Sequence, residues 1–193
     1  MVVIIHNTPD AAAASALCPE SNAEVLEQVH AVATALKKSG IAFTTVGIRT
    51  LQELPALLMA SPADIVVNLV ESLQGWPDTA AYVPAVCRAC DKACTGGDTA
   101  ALLLTADKWR TKAVLRAAGV PVPDGVRVAV DDTSPAYHVP TGRLIVKPLG
   151  TDGSEGIDAR SSIFDGACSA LVERVHMLQT QFRQPVLIEQ FWG

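Results

Sequence analysis

The stretch RLIVKPLGTDGSEGIDARSS, Arg143–Ser162, decides how the second half of this chain is read. Leu144, Ile145 and Val146 are β-forming residues, and Lys147 closes the run. Pro148 has no N–H to give to a ladder, so the strand stops there. Gly150, Gly153 and Gly156 follow at every third position, with Gly142 just before the strand. Glycine lets the backbone turn through positive φ and approach a ligand closely, and successive free N–H groups form an anion nest. With the Lys147 ammonium beside it and the Ser154 hydroxyl as a further donor, such a loop suits a polyphosphate. The same residues also fit a surface hairpin with a solvated lysine, because G-x-x-G-x-x-G is no dedicated fingerprint.

Around this stretch the chain reads as a small antiparallel α+β unit. Strands are expected at Val126–Val130, Leu144–Lys147 and Val186–Phe191, with a helix from about Asp165 to Gln181. A helix ending at Gly119, with Thr105 as its N-cap, precedes the extended VPVP segment at 120–123. The first half differs. VVII (2–5), AFTTVGI (42–48), DIVVNLV (64–70) and KACTG (92–96) read as strands that alternate with helices. One helix carries the capping box Ser21/Glu24, the stripe Val25, Val29, Val32, Leu36 and a C′ glycine, Gly40. A second starts at the capping box Thr50/Glu53 and is shortened or bent by Pro55, and a third spans Thr79–Cys90. This β-α-β-α-β-α-β order predicts a Rossmann-like parallel sheet with helices on both faces. It carries neither G-x-G-x-x-G nor a P-loop. The expected fold class is therefore α/β, with residues 1–97 as the Rossmann-like unit and 98–193 as bridging helices plus the smaller unit.

Composition narrows the function. The 193 residues are 49% hydrophobic with a formal charge of −5, which argues against nucleic acid or an anionic membrane surface as a partner. No stretch approaches the ~20 apolar residues of a membrane span, and the N-terminus lacks a basic leader, so a cytoplasmic protein is expected. Five cysteines without a secretory signal argue against a disulfide framework. Cys87, Cys90 and Cys94 form C-x2-C-x3-C, which suggests metal or redox chemistry but has no His or further Cys nearby to complete four ligands; Cys87 and Cys90, at helical spacing beside Val83 and Val86, read as buried small hydrophobes.

Two more residues point to a nucleotide. Lys108, in the first turn of a helix, opposes the helix dipole, a cost that a bound anion relieves; a solvated lysine is the alternative. Glu189 ends an apolar strand, where it is either an acceptor for an exocyclic amine such as adenine N6 or an edge carboxylate facing water. Glu71, just after the third strand, sits where open parallel sheets place ligand groups.

The order DK-x-x-TK … AGVPVP … VKP … GSEGI … VLIEQF resembles the ATP-grasp enzymes, and among them the D-alanine–D-alanine ligases. VVNLVESLQG and TGGDTAALLLTADKWRTKAVLRAAGVPVP resemble that group's N-terminal half. The resemblance implies that Lys108 and Lys147 contact the ATP phosphates and that Gly153, Ser154 and Gly156 form a phosphate-covering loop. It implies that Glu189 binds adenine, with Gln190, Phe191 and Trp192 along the hinge that cradles the base. In such ligases ATP phosphorylates a carboxylate and an amine attacks the acylphosphate, with Mg²⁺ bridging the phosphates. The substrates implied are amino acids of the D-alanine kind, in a cell-wall (peptidoglycan) role, and a homodimer is plausible by the same resemblance. The glutamate-containing motif that recognises the first D-alanine has no clear counterpart here: Glu20 and Glu24 are candidates, although Glu24 is already explained by the capping box, and Glu71 is the substrate-side candidate from its place after the third strand. The family's Mg²⁺ ligands and its phosphoryl-stabilising arginine belong to a second half, so a companion half is expected and this chain alone is expected to be inactive. The alternative is a non-catalytic module, derived from such a ligase, that binds nucleotide or a partner.

Overall fold

The apolar run at the start of the chain forms β1 (Val2–Asn7), whose Val2 to Ile5 are all buried, as a strand covered on both faces requires. The computed structural model describes residues 1–8, 19–74, 77–151, 155–158 and 160–192. Their packing divides the chain into two units, Met1–Leu103 and Leu104–Gly193.

In the first unit, β1 is followed by α1 (Pro19–Lys38), β2 (Phe43–Ile48), α2 (Leu54–Ala60), β3 (Ile65–Leu69), α3 (Pro77–Ala80), α4 (Val83–Ala89) and β4 (Ala93–Cys94). The strands pair in parallel in the order β2-β1-β3-β4. On α1 the expected stripe Val25, Val29, Val32 and Leu36 is the less exposed face. Gly40 ends the helix at φ +67°, where Ile41 N–H reaches back to the Leu36 carbonyl. The side chain of Ser21 lies outside the described residues. Val3, Ile5, Ile48, Leu54, Leu58, Val66 and Val83 fill one core.

Two helices depart from expectation, and proline explains both. Thr50 does not cap through its hydroxyl; it donates to Glu53 Oε1 (3.0 Å), and a single 3-10 turn, Leu51–Glu53, precedes α2. Pro55 then falls in the first turn of α2, where a missing N–H costs nothing. The helix expected at Thr79–Cys90 is two pieces, because Pro84 has no N–H to give to the preceding turn and instead opens α4. Cys87 is buried in this core with Cys90 and Cys94 packed against it, which bears out the apolar reading.

The second unit contains the end of α5 (Thr99–Thr105), then α6 (Lys108–Ala117), β5 (Gly125–Val128), β6 (Leu144–Pro148), β7 (Ile163–Phe164), α7 (Ser169–Phe182) and β8 (Val186–Gln190). The strands form an antiparallel sheet in the order β5-β8-β6-β7. β7, two residues long, is too short to carry a readable alternation and was not expected. Leu144, Val146, Val186 and Ile188 point to one face and pack with Leu171, Val175 and Leu178 of α7. Residues of the opposite parity therefore face away from this core. Thr105 is not the N-cap of α6. Asp107 is, accepting from Trp109 N–H and Arg110 N–H at 2.9 Å each, while Thr105 ends α5.

Among the described residues no helix is long and apolar enough to cross a membrane. None of their His, Cys, Asp and Glu side chains form a group of three or more placed to hold a metal ion.

Candidate functional site

On the sheet face turned away from α7, Glu189 of β8 lies beside Gly125 of β5 and Ile145 of β6. One rung along, Lys147 lies beside Leu187. Because β8 is interior to the sheet, Glu189 is no edge carboxylate facing water; it is 6% exposed. A carboxylate so placed must be paired. Lys147 donates to its Oε1, and Lys112 donates to its Oε2. Gly125 is required here, since a Cβ at that position would stand 2.5 Å from the Ile188 carbonyl and 2.7 Å from Glu189 Cβ.

The Asp107 cap sets the first turn of α6 and so the direction in which its side chains leave. Lys108 and Lys112, four residues apart, share one face. Lys112 is itself buried, at 8%. The Lys108 ammonium donates to the carbonyls of Leu149 (3.3 Å) and Thr151 (2.5 Å), which ties the start of the glycine loop to α6.

A cleft of about 370 Å³ opens over these groups. Lys108, Lys112, Lys147 and Glu189 line one part of it, three cations to one anion. Leu115, Leu187 and the extended Pro121, Val122 and Pro123 line another part and are apolar. The extended segment exists because Gly119 (φ +77°) ends α6 and the two prolines forbid a new helix. An apolar slot continuous with a cationic patch accepts an amphipathic anion, such as a planar base carrying phosphates.

The other expected positions of the second unit that the structure describes are not among the residues lining this cleft. Gly153 and Ser154 lie outside the described residues. Gly156 adopts φ +68°, and a Cβ there would meet Pro148 Cγ at 2.7 Å and Phe182 Cε2 at 2.8 Å, so packing alone demands glycine. Its carbonyl accepts from Arg174 Nη2 of α7 at 2.9 Å, and Arg174 also reaches Ser162 Oγ at 3.1 Å. Desolvation holds the Arg174 guanidinium below its usual range, partly offset by Asp158. Gly150 N–H donates to Gln184 Oε1 at 2.5 Å. Gln190 is held by the 124 and 141 backbone: its Oε1 accepts from Asp124 N–H (3.3 Å) and its Nε2 donates to the Thr141 carbonyl (3.4 Å). Arg143 stacks 5.0 Å over the Phe191 ring, and Trp192 is 61% exposed. Glu71 belongs to the first unit, just beyond the carboxyl end of β3. Its Oε1 accepts from Gln28 at 3.0 Å, and its backbone N–H donates to Asn7 Oδ1 at the end of β1.

Lys112, Gly125 and the Asp107 cap were not singled out from the sequence as site residues. The i, i+4 spacing of Lys108 and Lys112 was the available signal for the first. Nothing in the sequence announces that Gly125 and Glu189 are neighbours.

No family model matches the chain, and no curated protein does. Solved structures share its fold. The D-alanine–D-alanine ligase of Bacillus anthracis aligns with all of this chain and 57% of its own at a TM-score of 0.67 and 15% identity. The same enzyme complexed with ATP aligns at 0.67 and 16% identity, over 100% of this chain and 58% of that one. D-alanyl-alanine synthetase A from Vibrio cholerae gives 0.64 and 10% identity, over 100% and 59%. The chain thus shares the α/β fold of these structures and spans somewhat under three fifths of their length.

Proposed function

We propose that this chain binds ATP in the cleft between α6, β6 and β8 and that it represents the nucleotide-binding, N-terminal half of an ATP-dependent carboxylate–amine ligase of the D-alanine–D-alanine ligase kind. One observation carries the reading: three lysines line a largely apolar cleft that holds a single carboxylate, and two of them, Lys112 and Lys147, pair with it. Lys108 and Lys147 offer their ammoniums to the phosphates, and Pro121, Val122 and Leu187 offer an apolar bed for the base. The fold shared with an enzyme solved in complex with ATP supports it.

In this reading the chain contributes positioning and charge neutralisation, the terms that dominate phosphoryl transfer to a carboxylate. The glycine loop that Lys108 holds at Leu149 and Thr151 lies over the phosphates. An amino acid of the D-alanine kind is the substrate proposed, with Glu71 on its side, and a peptide-type bond is the product. Mg²⁺, which such chemistry uses, does not fit the described residues: the carboxylate in the cleft is Glu189, and both of its oxygens accept from lysines. Ligation is therefore proposed only for an assembly in which other residues hold the metal, whether a companion half or a second copy of the chain.

The pairing of both Glu189 oxygens with lysines also fits a second reading, a module that binds nucleotide without turning it over. Titration calorimetry with ATP tests the shared part: binding by the 193-residue chain is expected, and Lys147→Ala weakens the thermal shift that ATP induces. An unchanged shift removes Lys147 from the site, and no binding by the unaltered chain overturns both readings. D-alanine-dependent ADP release, absent from this chain and present once a family C-terminal half is supplied, separates the ligase from the module.

A further inference from the structure

Glu189 has two cationic partners, and they differ in a way that bears on how the cleft fills. Lys112 is buried on α6, its side chain 10% exposed, whereas Lys147, at the end of β6 beside the glycine loop, is 20% exposed. A lysine ammonium is a compact charge on a flexible stem with three donors, so either could in principle turn to another anion. Lys147 is the one with room to do so. Lys108 faces the same cleft from α6, with its ammonium already on two loop carbonyls, and Arg127 of β5 occupies the rung of Leu187 and Lys147 but is exposed.

If Lys147 leaves Glu189 for a phosphate, the carboxylate stays buried. A buried charge stripped of its partner is costly, more so than a pair never formed. Lys112 removes that cost, because it remains on Oε2 after Oε1 has been vacated. We propose that Lys112 is a positioning residue for polyphosphate binding: it holds the charge of Glu189 in place so that Lys147 is free to transfer to the nucleotide's phosphates. This rests on the ATP reading above and deepens it. Lys112 touches no phosphate in this scheme; it acts through Glu189.

Two consequences follow from the physics. Loss of Lys112 penalises ligands that draw Lys147 away, ATP and ADP, and spares adenosine, which does not. The penalty also vanishes when position 189 carries no charge, because Lys147 is then free without help.

The experiment is a thermodynamic cycle on the full chain, with ATP binding measured by calorimetry and adenosine binding by NMR titration. Lys112→Met is expected to weaken ATP by about tenfold or more, equivalent to ~1.4 kcal/mol, with adenosine unchanged. Lys112→Arg is expected to restore most of the affinity. In a Glu189→Gln background, Lys112→Met is expected to change ATP affinity by less than about threefold. That double variant leaves no unpaired carboxylate, so it keeps the test open if Lys112→Met alone fails to fold. Equal losses of ATP affinity on Lys112→Met in the parent and in the Glu189→Gln background, or equal losses for ATP and adenosine, overturn the proposal. ATP binding by the unaltered chain with no effect of Lys112→Met sinks this inference and leaves the ATP reading standing. No ATP binding by the unaltered chain sinks the ATP reading itself.

Discussion

Glu189 and Lys112 meet as a buried ion pair across 77 positions of sequence, the one from the interior strand of an antiparallel sheet, the other from the second turn of a helix laid over it. Lys112 has Glu189 as its ion-pair partner at that depth, while Glu189 is shared between Lys112 and Lys147. The pair therefore fixes both where α6 sits on the sheet and where the cleft's charge is concentrated.

Removing the carboxylate should expose that dependence. Glu189→Leu leaves Lys112 buried without an acceptor and is expected to cost about 3 kcal/mol of stability. Lys147, being nearer water, adds little to the loss. Denaturant unfolding measures it, and combining Glu189→Leu with Lys112→Met is expected to recover part of the deficit. Strictly additive losses would mean that the two side chains are not coupled.

The Asp107 cap is expected to matter on a smaller scale. Asp107→Ala removes the acceptor for Trp109 N–H and Arg110 N–H and should cost about 1 kcal/mol, while Asp107→Ser retains most of it. An unchanged unfolding midpoint for the alanine variant would show that the first turn of α6 is held by other contacts.

Gly156→Ala tests whether packing or ligand access requires that glycine. The left-handed backbone and the clash with Pro148 and Phe182 together predict a loss of about 2 kcal/mol, measured without any nucleotide present. A companion Phe182→Leu change, which trims the ring at the clash, should return some of it. An alanine variant as stable as the parent would leave only ligand approach as the reason for glycine.

Acid stability should carry the mark of Asp158. The Arg160 and Ser161 backbone N–H groups donate to its Oδ1 at 2.8 and 3.0 Å and hold its carboxyl below the usual range, with Arg160 adding to the effect. A depressed folded value means that the contribution is complete above the ordinary aspartate value of about 4 and is lost as pH falls through the folded one. Asp158→Asn keeps an acceptor but no charge, so its unfolding midpoint should vary less with pH across that acid window. Identical acid profiles for parent and variant would remove Asp158 from the account.

Much of the fold was legible because it is written locally. The continuous run Val2–Ile5 can only be a strand covered on both sides, and the stripe on α1 with Gly40 behind it can only be an amphipathic helix with a left-handed end. Pro55 and Pro84 were visible too, but whether a proline bends a helix or starts one depends on where the previous turn ends. The two-residue β7 had no periodic signal at all. At the site, Lys108, Lys147 and Glu189 were legible as chemistry, a pair of cations and a carboxylate in an apolar context. Lys112 was legible only as a helical neighbour of Lys108.

By itself the sequence determined most of the elements, the α/β class and the types of charge that the cleft carries, since periodicity, capping and turn residues act within a few positions. Only the tertiary structure decided that β8, last in the chain, lies inside the sheet. That placement turns Glu189 from a strand-end carboxylate into a buried one held between Lys112 and Lys147. It also sets Gly125 against Glu189 and Gly156 against Phe182, contacts between segments distant in sequence. Burial makes an unpaired charge too costly to leave alone, and burial is a property of the assembled sheet that no local stretch of sequence contains.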